Sequence, residues 1–205
     1  MTREDALAVI RGLIGRDLHQ LADDYGITVR KHGRLNKGWA GSVVERHLGI
    51  PANSRRTPDV DAFELKVIPL KHDRNGRLVV KESMAITMFT ANEVVSTPFE
   101  SSHLRVKMER MIVVARLDDR RHARSEVCGV ASVDLDADLF PLVKADYRLV
   151  QDTVRVYGFD ALTGRMGALV QPRMKGAGHG STSRAFYARA RLFSWILGLE
   201  VRGRR

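Results

Sequence analysis

The stretch Thr57-Pro58-Asp59-Val60-Asp61-Ala62-Phe63-Glu64-Leu65-Lys66-Val67-Ile68-Pro69 decides how the rest of the chain is read. Phe63, Leu65 and Val67 alternate with Glu64, Lys66 and Ile68, the period of a strand buried on at least one face. Successive strand side chains point to opposite faces, so Glu64 and Lys66 share one. A carboxylate and an ammonium are costly to hold against a core unless they serve each other or a metal. Asp59, directly after Pro58 at the entry to the strand, brings a second carboxylate to the same place. Two carboxylates and a lysine converging there suit a site that holds Mg²⁺ beside a phosphodiester and readies a water. The same alternation also describes an edge strand with a solvated face, and so short a motif can match by accident.

Composition narrows the choice. A chain of 205 residues, 44% of them hydrophobic, is expected to build one domain with a real core. No apolar run reaches membrane-spanning length, and Met1-Thr2-Arg3-Glu4-Asp5 lacks the layout of a signal peptide, so a cytoplasmic protein without membrane contact is expected. The single cysteine, Cys128, excludes an internal disulfide, and its flanks suggest a small buried filler. The net charge of +10 points to a polyanionic partner, of which nucleic acid is the commonest. From Arg173 to Arg205 eight Arg and Lys stand against one acid, Glu200, a net +7 of that total. Clustering of this kind resembles a phosphate-facing surface.

Along the chain, Leu7, Ile10, Leu13, Ile14, Leu18 and Leu21 predict one or two helices from Glu4 to Asp24, broken near Gly15 and closed at Gly26. Lys31 to Lys37 reads as a basic loop, Gly38 to His47 as a helix, and 50–58 as a polar loop. Asp73-Arg74-Asn75-Gly76-Arg77 is a turn, and Met84 to Phe89 is expected to lie antiparallel to the motif strand. A short helical piece at Ser102 to Arg110 precedes a strand at Met111 to Leu117. A hairpin at 118–121 and a strand around Glu126 to Leu135 follow. Ala137 to Tyr157 is helical by spacing, with Pro141 in its first turn. A turn at 164–167, a short strand at 168–171, the loop Gly176 to Ser183 and a final helix from Ala185 to Leu197 complete a mixed α/β chain.

Four separated stretches now agree with one family. Lys37-Gly38-Trp39-Ala40-Gly41-Ser42-Val43-Val44-Glu45 resembles the lysine-glycine-aromatic-x-glycine…glutamate helix of the MutH family and of the GATC-cutting restriction endonucleases related to it. Asp59…Glu64-Leu65-Lys66-Val67-Ile68-Pro69 is similar to the family's catalytic strand. Ser102-His103-Leu104-Arg105-Val106-Lys107 is similar to its serine-histidine helix turn ending in lysine. Gln171-Pro172-Arg173-Met174-Lys175 with Arg184-Ala185-Phe186-Tyr187-Ala188-Arg189 resembles its DNA-reading loop and helix.

The resemblance implies a PD-(D/E)XK nuclease: a restriction-endonuclease-like mixed sheet flanked by helices, with two lobes around a DNA cleft. Residues 1–100 would form the lobe with the catalytic motif and 101–205 the lobe with the DNA-reading loop and helix, together one endonuclease domain. It implies Asp59, Glu64 and Leu65 as the metal set, Mg²⁺ as the ion with Mn²⁺ able to substitute, and Lys66 beside the attacking water and scissile phosphate. Glu45 is implied as an additional active-site acid, Lys37 and Lys107 as the phosphate path, and Arg173, Lys175, Arg184 and Tyr187 as DNA contacts. Elementary chemistry agrees with several of these roles: Mg²⁺ needs few hard oxygen ligands, and Arg173 can contact guanine bidentately. Other readings stay open. Glu45 also fits a surface helix residue, Lys37 and Lys107 solvated lysines, and Tyr187 a packing role on an apolar-periodic helix. The segment Gly176–Ser181 reads either as a connection or as a loop that orders on DNA. Asp59 stands nearer Glu64 than the family spacing, and Asp61 competes with it as ligand, with Pro58 before Asp59 favouring Asp59. Lys81-Glu82 is closer to the restriction branch.

Three functions follow from this reading. A restriction enzyme would cut both strands of double-stranded DNA, two copies pairing on it as a homodimer. A mismatch-repair enzyme would nick one strand and answer to partner proteins. A silent DNA-binding module would do neither.

Overall fold

The computed structural model describes residues 1–51, 63–119, 124–136, 138–175 and 183–199. In chain order these form α1 (Arg3–Arg11), α2 (Leu18–Asp24), β1 (Arg30–Lys31), β2 (Arg34–Leu35), α3 (Trp39–His47), β3 (Glu64–His72) and β4 (Leu78–Val80). There follow β5 (Met84–Phe89), α4 (Ala91–Ser96), α5 (His103–Met108), β6 (Arg110–Asp119) and β7 (Arg124–Asp134). The chain ends with α6 (Leu139–Tyr157), β8 (Val170–Met174), β9 (Arg184–Ala188) and α7 (Ala190–Ile196). The mixed α/β class expected from the sequence is the one observed. No helix among the described residues is long and apolar enough to cross a membrane.

Contacts divide the chain into two units. The first takes the described residues of Met1–Lys81, Met111–Val133 and those from Ser194 onward, and the second takes Glu82–Arg110 and Asp134–Phe193. In the first unit the strand order is β4-β3-β6-β7, with β3 antiparallel to β4 and parallel to β6. A parallel neighbour requires a long crossover, which the chain makes between His72 and Arg110. Phe63, Leu65 and Val67 of the motif stretch join Ile112, Val114 and the inward residues of α1, α2 and α3 in one core. Glu64 and Lys66 therefore point from the opposite face of β3. The link between α1 and α2 lies along β7: Gly15 N donates to Val127 O, Val127 N to Arg16 O, and Ser125 N to the Asp17 carboxylate. That covers what would otherwise be an open sheet edge.

The second unit holds the sheet β5-β9-β8, both pairings antiparallel. Helix α6 lies against α4 and β8. Gln151 Nε2 reaches the carbonyls of Val94 and Thr97, tying the two helices together.

Several expectations need correction. Met84–Phe89 does not pair with the motif strand; Leu78–Val80 does, directly after the Asp73 turn, and at three residues it was too short to show a period. Arg184–Ala188 is a strand rather than the start of the last helix. As the middle strand of three, with Arg184, Ala185, Phe186 and Ala188 all buried, it lacks the alternation that identifies a half-exposed strand. Lys31–Lys37 contains a hairpin, not a plain loop. Cys128 is exposed on β7 beside buried Val127, and its thiol donates to Ala115 O at 3.4 Å. Most of the expected loop at 50–58, the tip of the 118–121 hairpin and most of the 176–183 loop lie outside the described residues.

Candidate active site

The centre of the site is β3, which begins at Glu64. The side chain of Glu64 has 0% exposure and that of Lys66 14%, and Lys66 Nζ donates to Glu64 Oε1. Taking two charges from water costs several kcal/mol, on the order of what their attraction returns, so such a pair is a poor way to stabilise a fold. It is a good way to hold a carboxylate and an ammonium aimed at one place. The main-chain carbonyl of Leu65 is the one oxygen that residue can offer a metal. A buried carboxylate and a neighbouring carbonyl are hard oxygen donors, the kind Mg²⁺ accepts while keeping several waters. Among the described residues no three His, Cys, Asp or Glu side chains cluster as a metal site, and Asp59 and Asp61 both lie outside them.

Helix α3 packs against β3 and buries Trp39, Ala40, Val43 and Val44, leaving Glu45 half-buried on its flank. Gly38 caps the helix, and its N–H is taken by the Asn36 side chain at 3.3 Å. Lys37, one residue before the cap, is exposed.

The remaining candidates belong to the second unit. Ser102 is the N-cap of α5: its hydroxyl accepts from Arg105 N at 3.2 Å and donates to Phe99 O at 2.7 Å. One and a half turns later Lys107 is only 7% exposed, so it is not a simple solvated lysine. Arg173 and Tyr187 meet on one face of the β8–β9 pair, the guanidinium carbon 5.5 Å from the ring centroid. The register explains this: Gln171 is opposite Tyr187, and Arg173 follows Gln171 on the same face. Gln171 donates to Ser83 Oγ at 2.9 Å and pins the base of that face. Lys175 is exposed, its N–H given to Ser183 O at 2.9 Å where the two strands part.

Arg184 does not share that face. It is 7% exposed, donates to Leu162 O at 3.1 Å and stacks on Phe159 at 5.2 Å. Arg189 likewise holds the carbonyls of Gly164 and Met166. Two of the C-terminal cations therefore brace the second unit, while Arg173, Lys175 and Arg191 are exposed.

One residue escaped the sequence reading altogether. Asp146, on the inward face of α6 and 6% exposed, accepts from the main-chain N–H of Ala168 at 2.6 Å, Leu169 at 2.7 Å and Val170 at 2.8 Å. It fixes the start of β8, and so where Arg173 emerges. Gly167 makes room for this turn: φ is +77°, and a Cβ there would lie 1.9 Å from Val170 O and 3.1 Å from the Asp146 carboxyl carbon. An acid at an inward position between Val143, Tyr147 and Val150 was the available signal.

Comparison with known proteins bears on this geometry. Residues 48–135, which include Glu64, Lys66 and Lys107, match the family model described as DNA mismatch repair enzyme MutH. The chain is 30% identical to the DNA mismatch repair protein MutH of Klebsiella pneumoniae over 192 residues, 92% of this chain and 81% of the relative. It is 27% identical to that of Vibrio cholerae over 198 residues, 93% of this chain and 86% of the relative. Among solved structures, restriction endonuclease MvaI in complex with its cognate DNA substrate aligns with a TM-score of 0.41 and 11% identity, covering 88% of this chain and 96% of that one.

Proposed function

The chain belongs to the MutH family of DNA mismatch repair enzymes, and on that premise we propose that it is a sequence-specific DNA endonuclease dependent on a divalent metal, acting at GATC or a related short site. The observation that carries the reading is the buried Glu64–Lys66 pair on the strand that the family match covers.

The reaction is hydrolysis of a phosphodiester: a water oxygen bonds to phosphorus, the bond to the 3′ oxygen breaks, and that oxygen takes a proton. The ends left are 5′-phosphate and 3′-hydroxyl. Glu64, the Leu65 carbonyl and Asp59 (or Asp61) would hold Mg²⁺, with Mn²⁺ as a substitute. A bound divalent ion supplies Lewis-acid polarisation of the phosphoryl oxygen and acidifies a water. Lys66, oriented by Glu64, presents its ammonium to the negative charge that grows on the phosphate. Glu45 adds a carboxylate from α3. Lys37 and Lys107 take backbone phosphates. Arg173 reads a guanine edge in the major groove, with Tyr187 beneath its guanidinium and Lys175 on the adjoining phosphate. The internal partners of Arg184 suit it to bracing β9 beneath that pair. Residues 1–205 act as one endonuclease domain of a cytoplasmic protein.

Supercoiled plasmid incubated with the protein and Mg²⁺ tests this. Persistent open circles mean nicking, the mismatch-repair mode, and discrete linear fragments mean paired copies cutting both strands. Glu64→Ala should keep DNA binding and lose cleavage. Plasmid that stays supercoiled with both Mg²⁺ and Mn²⁺, or Glu64→Ala cutting at the wild-type rate, would refute the assignment.

A further inference from the structure

The hairpin β1–β2 is arranged in a way that folding alone does not explain. Its strands pair with Lys31 directly opposite Arg34 and Arg30 opposite Leu35. The turn is His32-Gly33, with φ of 49° and 73°, the left-handed pair that a tight two-residue hairpin requires. Gly33 meets this conformation without strain, whereas His32 holds it with a full side chain. Like charges directly opposite on a sheet face repel and destabilise the pairing. Segment 30–37 contains Arg30, Lys31, Arg34 and Lys37 and no acid, and all four are exposed. Neither Lys31 nor Arg34 makes an ion pair among the described residues.

A two-stranded ribbon is marginal in water, so repulsion at its tip is a real cost. The ribbon is instead secured at its base. Asn36 N donates to Val29 O at 2.9 Å, Asn36 Nδ2 to Thr28 O at 3.0 Å, and Trp39 N to Asn36 O at 3.2 Å. Arg30 and Leu35 line a groove of about 810 Å³ with Trp39 and Arg116, so one face of the ribbon is turned to the protein. By strand alternation Lys31 and Arg34 face away from that groove. A surface shaped only for stability would place an acid opposite one of them. A surface shaped for a polyanion would place what is found.

We propose that the hairpin is a second phosphate-gripping element, holding the DNA backbone through Lys31 and Arg34 without regard to base sequence. This rests on the nuclease reading and extends it beyond Lys37, the next cation along the chain. Duplex DNA carries one negative charge per roughly 1.7 Å of its axis, so two adjacent cations can each find a phosphate and their mutual repulsion is relieved on binding.

The test is binding of a fluorescent duplex across a salt series, with divalent ions chelated so that nothing is cut. Wild type is compared with Lys31→Ala/Arg34→Ala on a cognate and a scrambled duplex. Removing two phosphate contacts should flatten the slope of log affinity against log salt by about 1.8, so the wild-type advantage shrinks about 12-fold between 50 and 200 mM salt. Both duplexes should lose by the same factor. The double variant should melt no lower than wild type, since a repulsive pair has been removed, which separates a binding defect from misfolding. An unchanged slope overturns the hairpin while leaving the nuclease reading intact. Loss confined to the cognate duplex overturns it too, because the ribbon would then be reading bases. Failure of wild type to bind either duplex overturns both.

Discussion

On β3, Glu64 and Lys66 are drawn out of solvent and given to each other. On β8 and β9, Arg173 and Tyr187 are laid on the open face of a strand pair, guanidinium over ring. The same protein thus holds charge in two opposite ways. Chemistry on a phosphate gains from groups already desolvated and fixed, because their fields are strong and need no reorganisation when charge develops. Recognition of a base edge gains from a cation that still reaches outward on a firm base. Unit one spends its core on aiming a carboxylate, and unit two spends a buried Asp146 on aiming a strand.

The largest effect is expected at Lys66. Lys66→Met should lower the cleavage rate by about 10²–10³-fold, the range for removing one preorganised electrostatic contact. It should also destabilise the fold by about 3 kcal/mol, because a buried carboxylate loses its counterion. Replacing both partners in Glu64→Leu/Lys66→Met should recover most of that stability and none of the activity. Calorimetry with single-turnover cleavage checks it. A double variant as unstable as the single would mean the pair is held for the fold, and the contrast with β8–β9 would collapse.

Next in size is Asp146→Ala, which leaves the N–H groups of Ala168, Leu169 and Val170, the last two of them buried, without their acceptor. A loss of roughly 2 kcal/mol is expected, at about one or more per buried orphaned donor. Hydrogen exchange should localise the damage to Ala168, Leu169 and Val170, and affinity for the cognate duplex should fall through Arg173. If exchange at those three amides is unchanged, Asp146 is not what positions β8.

A smaller effect is expected from Arg173→Lys, which keeps the charge but loses the planar fork. Discrimination between cognate and scrambled duplex should drop by about 1–3 kcal/mol while affinity for the scrambled one barely moves. Equal loss on both duplexes would make Arg173 a phosphate contact.

How much of this was legible in the chain follows from the kind of residue involved. The period-two alternation of Phe63 to Ile68 showed both the strand and the shared face of Glu64 and Lys66, since nothing but strand geometry was needed. The cap at Ser102 was contained in the family motif, although its mechanical role was not. Arg184–Ala188 was misread because a central strand buried on both faces has no polar partner in its alternation, and Ala, Phe and Tyr suit a helix as well. The roles of Arg184 and Arg189 were invisible because their acceptors, Leu162, Gly164 and Met166, are main-chain carbonyls more than twenty residues away. Net charge could count those arginines but not say which were already engaged.

The least of the expected effects concerns the helix that carries Glu45. His47, the last residue of α3, accepts or shares a hydrogen bond with the Tyr25 hydroxyl at 2.7 Å through Nδ1. Burial, and then the nearby charge of Arg16, push its pKa below the ordinary histidine value. The helix C-terminus alone would favour the imidazolium, so these two influences outweigh it. In the unfolded chain the ring gains its proton near pH 6.5 while the folded ring still resists. Stability therefore holds above that pH and is lost as pH falls through it toward the lower folded value. The drop in melting temperature between pH 7.5 and 5.5 should be smaller in His47→Gln than in wild type, with cleavage at pH 7.5 little changed. If both proteins lose the same amount, the neutral imidazole is not what ties α3 to α2, and the support behind Glu45 must come from the apolar contacts of Val43 and Val44 alone.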